Sequence, residues 1–286
     1  MSRSPEAAIR VRVDCANPGQ FFACCGLLEI ADRLWPGTEG WFDEGHFMLH
    51  STRAAVLSEL LSAFKTCQML DQDHGATPGD GDDADADEDT GTSPIELAFS
   101  PPLRLDWWMD KSLKPWAGSM NGTMIFLAMR DAIEVLCPDP LNFSCVVHDP
   151  APNDAPESPN GREPKLKMGK KREPFYFDAR RGASARSVDI GFAPDALKLE
   201  TTAFPAVEAL CLVGLQRFRP MPANRPRLFN YYTWETRLEA RLAQVAACGL
   251  LPHAGGKGYR FENAFRTDQR KHKAYGPATP FERSAP

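Results

Sequence analysis

IRVRVDCANPGQFFACCGLLEIADRLW, residues 9–35, is the stretch whose reading decides the fold class. Ile9 to Asp14 alternates apolar and polar side chains, the period of a half-buried strand. Asn17 is a residue type whose side-chain oxygen caps helices, and Pro18 fits a first helical turn, where no N–H is required. The apolar run from Phe21 to Leu34, with Glu29, Asp32 and Arg33 near its end, then reads as a helix. The opening is strand, tight turn, helix.

The rest of the chain extends that pattern. WFDEGHFMLH (41–50) reads as a strand or hairpin, and RAAVLSELLSAFKTCQML (53–70) sets apolar residues at 56, 57, 60, 61 and 64, which is helical spacing. IELAFS and LRLDWW (95–108), split by Pro101-Pro102, read as two short strands. SLKPWAGSMNG (112–122) reads as a packed turn because of Trp116 and Gly118, with a helix over Met120–Leu136 behind it. PAVEALCLVGLQRF (205–218) is almost wholly apolar, hence a buried helix. ETRLEARLAQVAACGLL (235–251) puts Leu238, Leu242, Val245 and Ala246 on an apolar helical face that stops near Gly249. The sum is an α+β protein, a mixed sheet with packed helices. Residues 1–149 form an N-terminal α+β region, 150–164 a linker-like loop rich in Pro, Asn and Ser, and 165–286 a basic C-terminal region packed on the same core.

Charge is divided along the chain. Residues 161–286 hold 23 Lys+Arg and 12 Asp+Glu, a net of +11, which leaves 10 basic and 26 acidic side chains, a net of −16, before them. Positions 71–90 alone contribute nine acidic and no basic residues, so 71–94 reads as a solvated, disordered acidic insertion with nothing to bury. A basic half attracts polyanions, and nucleic acid is the commonest of them. The candidate phosphate-binding residues are Lys165, Lys167, Lys170, Lys171 and Arg172 of the run KLKMGKKR, then Arg180, Arg181 and Arg186, and Arg266, Arg270, Lys271 and Lys273 of the tail. Phe175, Tyr176, Phe177, Tyr259, Phe261 and Tyr275 lie between them. They either stack unpaired bases or fill the core, and in a strand FYF would send neighbouring rings to opposite faces.

The motifs of common enzymes are missing from the sequence. The eight cysteines include no Cys-x-x-Cys and sit mostly in apolar runs, as small hydrophobes do. His148-Asp149 spells the dipeptide of a metal-dependent phosphohydrolase, but that chemistry needs several further ligands. No Walker loop or nucleophile elbow occurs. We therefore expect a non-enzyme without cofactor or metal. No stretch approaches the ~20 apolar residues of a membrane helix, and the first residues lack the apolar core of a signal peptide. No membrane partner and a cytoplasmic location follow as expectations.

NPGQFFACCGLLEIADRLW (17–35), LDWWMDKSLKPWAG (105–118), YYTWETRLEARLAQVAACGLLP (231–252) and YRFENAFRTDQRKHKAYGP (259–277) together resemble the Csb/Csx-type subunits of type I-G CRISPR systems, formerly type I-U, and most nearly the third Csb family. The resemblance covers most of the chain apart from the acidic insertion and the 150–164 linker. It implies a subunit or partner of a Cascade-like, RNA-guided antiviral complex, in which guide–target pairing reads sequence and protein holds backbones by charge and shape. Expected partners are crRNA or target DNA and the other effector subunits. The family supplies no catalytic residues to carry over. Among folds used in such complexes, a ferredoxin-like RNA-binding module suits the N-terminal part, while the later helices suit it poorly. Two other readings stand beside this one: a protein–protein scaffold whose basic face docks an acidic subunit, and a metal-dependent nuclease using His148.

Overall fold

The computed structural model describes residues 8–70, 93–116, 121–148, 174–184, 201–266 and 272–282. In chain order the N-terminal elements are β1 (Ile9–Arg12), α1 (Pro18–Leu34), β2 (Glu39–Asp43), β3 (His46–His50), α2 (Leu57–Thr66), β4 (Ile95–Leu97), β5 (Leu103–Leu105), α3 (Gly122–Asp131) and β6 (Cys145–His148). After them come α4 (Ala179–Ser184), β7 (Thr201–Ala203), α5 (Pro205–Arg217), β8 (Met221–Pro222), β9 (Leu228–Tyr232), β10 (Leu238–Glu239), α6 (Ala240–Ala247), β11 (Gly258–Phe265), β12 (Lys273–Tyr275) and β13 (Thr279–Phe281). The protein is α+β, and every strand pairing among the described residues is antiparallel.

The opening folds as its residues dictate. In β1, Ile9 and Val11 point into the core while Arg10 and Arg12 point out. The Asn17 side chain accepts from the N–H groups of Gly19 and Gln20, so α1 begins at Pro18. The β2–β3 hairpin turns through Glu44-Gly45, both at positive φ (41° and 77°), as a two-residue hairpin loop requires. These strands lie in the order β1-β3-β2, which with α1 makes a split β-α-β, half of a ferredoxin-like unit. The other half does not follow. Strand β4 pairs with β5 in a separate ribbon, and β10 from the C-terminal region closes the sheet beside β2.

Helices α1 and α5 form the centre. Both are buried on all sides over most of their length. They cross where glycine meets backbone: a Cβ on Gly26 would lie 2.1 Å from the Leu210 carbonyl oxygen, and one on Gly214 2.0 Å from that of Phe22. Phe21 packs between the two sheets, 5.2 Å from the Phe42 ring and 4.4 Å from Tyr231. The polar ends of the buried rings are satisfied: Trp107 Nε1 donates to Leu212 O, Trp234 Nε1 to Gly40 O and Tyr231 Oη to Cys15 O. Glu29, buried in α1, is ion-paired with both Arg33 and Arg217. The acidic and basic halves of the sequence thus share one hydrophobic core.

Three helical readings need correction. Helix α3 ends at Asp131 rather than Leu136, which is 78% exposed, because the chain turns at Ala132 to bury Ile133. Helix α2 starts at Leu57, leaving Val56 exposed. Helix α6 spans Ala240–Ala247, and its buried face is Ala240, Ala243, Ala246 and Ala247, whereas Leu238 belongs to β10 and Leu242 faces solvent. Pairing with β2 draws Leu238 into strand, and the remaining helix packs through its small residues. Residues 71–92, nearly all of the acidic insertion, and the 150–164 linker lie outside the described residues.

Candidate functional site

The segment Pro174–Ser184 follows directly on the basic run and is fixed by a buried polar network. Asn17 is its hub: Oδ1 also accepts from Ala179 N, and Nδ2 donates to Asp178 Oδ1 at 2.9 Å. Glu208, in the first turns of α5, accepts from the N–H groups of Phe177 and Asp178 at 3.3 and 3.2 Å. Burial, reinforced by the negative charge of Asp178, pushes the Glu208 carboxyl up to about 7. Arg180 pairs with Asp178 at 2.6 Å, donates to Asn142 Oδ1 and Leu141 O, and lies 3.3 Å from the centre of the Phe204 ring. Of the basic candidates, Arg180 is thus fastened to the core.

The rings of FYF are not a strand's alternating rings. Phe175, Tyr176 and Phe177 are all buried in backbone outside any regular strand, with Trp116 and Phe177 packed on Phe175 and Tyr275 on Phe177. Phe261 and Tyr275 are also buried, and Tyr259 is stacked on Tyr231 at 5.4 Å. Five of the six aromatics fill the core, which rules out base stacking on them, and Tyr259 packs half-buried against it. Outside a regular sheet, nothing forces neighbouring rings to opposite faces.

Tyr176 instead organises cations. Its backbone stands at φ 68°, a conformation that bulky residues adopt only under constraint. The guanidinium of Arg266 lies 3.5 Å from the Tyr176 ring centre, and that of Arg181 lies 5.2 Å from it. The Tyr176 carbonyl accepts from Tyr275 N on the edge of β12. Hence the chain leaving the first basic run, at Pro174, and the chain entering and leaving the second, at Arg266 and His272, are anchored side by side, with Arg266 N bonded to His272 O.

The opposite face of the β11–β12 pair holds Lys273, in register with Phe265. Arg227 stacks over Phe265 at 4.6 Å, and its own φ of 62° is also positive. The segment Lys111–Trp116 lies alongside, through Lys273 N to Pro115 O, Lys273 Nζ to Lys111 O, and Asn263 Nδ2 to Ser112 O. Burial, then Arg227 and Lys114, hold the Lys273 ammonium below the ordinary lysine range. Among the described residues, Arg227, Arg266 and Lys273 form no ion pair with a carboxylate.

So Arg181 and Arg266 are brought together on the Tyr176 ring, Lys273 lies on the other face of the same strand pair, and Arg180 is committed to Asp178. Lys165, Lys167, Lys170, Lys171, Arg172, Arg186, Arg270 and Lys271 lie outside the described residues. Sequence reading missed Arg227 and Lys114 because each stands in a segment of spaced cations, RPMPANRPR and KSLKP, rather than in a dense basic run. Among the described residues no group of three or more His, Cys, Asp or Glu is placed to hold a metal ion. The cysteines are free, and burial pushes the thiols of Cys24, Cys25 and Cys211 well up, which leaves them unreactive. No helix among the described residues is long and apolar enough to cross a membrane. No family model, curated protein or solved structure matches the chain.

Proposed function

We propose that this chain is a non-catalytic, cytoplasmic subunit of a type I-G CRISPR interference complex that grips crRNA or target nucleic acid by its backbone and contacts neighbouring effector subunits. The observation that carries the reading is the placing of Arg181 and Arg266 on the Tyr176 ring, with Lys273 and Arg227 at Phe265 on the other face of the same strand pair. Such a group binds polyanions by charge and donor geometry and carries no sequence code of its own. The choice of nucleic acid over other polyanions, and of a CRISPR complex over other nucleoproteins, rests on the resemblance of four sequence stretches.

The test is co-purification of the tagged chain with the products of the neighbouring genes, followed by extraction of bound nucleic acid. The reading expects a complex that contains a guide RNA, and charge reversal at Arg181 and Arg266 should reduce nucleic-acid recovery. A stable complex from which this subunit is lost without change in RNA content or target binding would favour the scaffold reading. Divalent-dependent cleavage abolished by His148→Ala would replace both with a nuclease.

A further inference from the structure

We infer that nucleic-acid binding at the Tyr176 arginines is coupled to proton uptake by the buried Glu208 carboxyl beside them, so that the chain holds polyanions more tightly on the acid side of neutrality. The inference rests on the polyanion reading above and adds a regulation to that site. One short segment carries both ends of the coupling. Its N–H groups at Phe177 and Asp178 are held by Glu208 at 3.3 and 3.2 Å. The residue before them, Tyr176, presents the ring on which Arg266 and Arg181 lie at 3.5 and 5.2 Å. The Arg266 Nε–H is buried and has no acceptor among the described residues. Glu208 and Asp178 are both fully buried, and Arg180 is bonded to Asp178 rather than to Glu208. Two carboxyls in so dry a place resist carrying two charges. Burial, then Asp178, push the Glu208 carboxyl up to about 7 against the pull of the two N–H groups and of Arg181. Arg181 is thus felt by the buried carboxyl and shares the Tyr176 ring with Arg266.

The other groups around Glu208 keep one charge state near neutrality. Tyr275 on β12 and Cys211 on α5 both face it, and burial pushes each well up. The α1 side offers Asn17, which is neutral, and Cys25, whose thiol burial pushes up likewise. Among the described residues no charge on α3 or β5, which also pack on α5, acts on it. An anion that neutralises Arg181 and Arg266 removes positive charge that favours ionised Glu208, so the carboxyl keeps its proton to higher pH. Linkage is reciprocal, and the proton therefore strengthens anion binding. Because binding raises this carboxyl, the complex is favoured at lower pH and the advantage is lost as pH climbs past about 7.

The test uses the full chain and oligothymidylate without a terminal phosphate, whose bases and phosphodiesters keep one charge state between pH 6 and pH 8. Calorimetry in buffers of different ionisation enthalpy counts the protons taken up on binding. The wild type should take up a fraction of a proton, most of it near pH 7. It should bind about twofold to threefold more weakly at pH 8 than at pH 6, as raising the carboxyl by about half a pH unit requires. Glu208→Gln should bind with that uptake lost and with closely similar affinity at both pH values. His272→Gln should behave as the wild type, because Arg266 N meets the His272 backbone oxygen and not its ring. Carbon-detected titration of the Glu208 carboxyl in the wild type, free and with oligothymidylate, needs no variant and should show its midpoint rise on binding. Binding without proton uptake, uptake that survives in Glu208→Gln, or a Glu208 midpoint unmoved by the oligonucleotide overturns the coupling and leaves the polyanion reading standing. Oligothymidylate that fails to bind at every pH removes both.

Discussion

Glu208 is a fully buried carboxylate whose two oxygens hold the backbone N–H groups of Phe177 and Asp178. Its ionisation is displaced from the ordinary 4.5 to about 7, by burial first and by Asp178 second. Between those values the folded chain keeps a proton that the unfolded chain has released. Stability from this group is therefore greatest below about pH 4.5, declines as pH rises, and is gone above about pH 7, a difference of about 3 kcal/mol. Glu208→Gln should flatten the fall in melting temperature between pH 5 and pH 8 relative to the wild type, and parallel curves would refute the assignment. Arg180 gives a second residue-scale outcome. Arg180→Ala strands the buried Asp178 charge and should cost about 2 kcal/mol in urea unfolding, less than a fully buried pair because Arg180 is a third exposed. The cap role of Asn17 was readable from NPGQ, since capping is local. Its bonds to Asp178 and Ala179 were not, because the partners lie more than 160 positions away.

Elements were legible where their own pattern dominates. Helix α1 announces its start with Asn17-Pro18, and α5 announces burial by having no polar face. The missing signal was the reason for that burial, the glycine crossing. A methyl group added at Gly26 or Gly214 would be driven into a carbonyl of the partner helix, and backbone cannot step aside as a side chain can. Gly26→Ala and Gly214→Ala should each destabilise by about 3 kcal/mol, measured by urea unfolding. Gly37→Ala is the contrast: nothing lies within 4 Å of its Cβ position, and its φ of 81° alone should cost about 1 kcal/mol. Equal losses at the three sites would mean that the close crossing is not what the helices depend on. Helix α6 was misread for the opposite reason, because a strand partner claimed Leu238 and alanines did the packing.

Across the whole molecule, the division of charge is a division of sequence only. The C-terminal region lends β10 to the N-terminal sheet, and α1 crosses α5 in one core. What the fold adds is position, since it draws Arg181, Arg266 and Lys273 to the two faces of one strand pair and sets Arg227 beside them. Runs of Lys and Arg were visible in the sequence, whereas the placing of Arg181 and Arg266 on one ring, and of Arg227 and Lys273 at Phe265, required the structure. The measurement that bears most directly on the central claim is the affinity for a single-stranded oligonucleotide as a function of salt, compared between the wild type and R181E/R266E of matched thermal stability. The account predicts affinity at least about tenfold weaker in the variant and a salt slope shallower by about 1 to 2, one phosphate contact for each cation reversed. An unchanged affinity with an unchanged slope would contradict it.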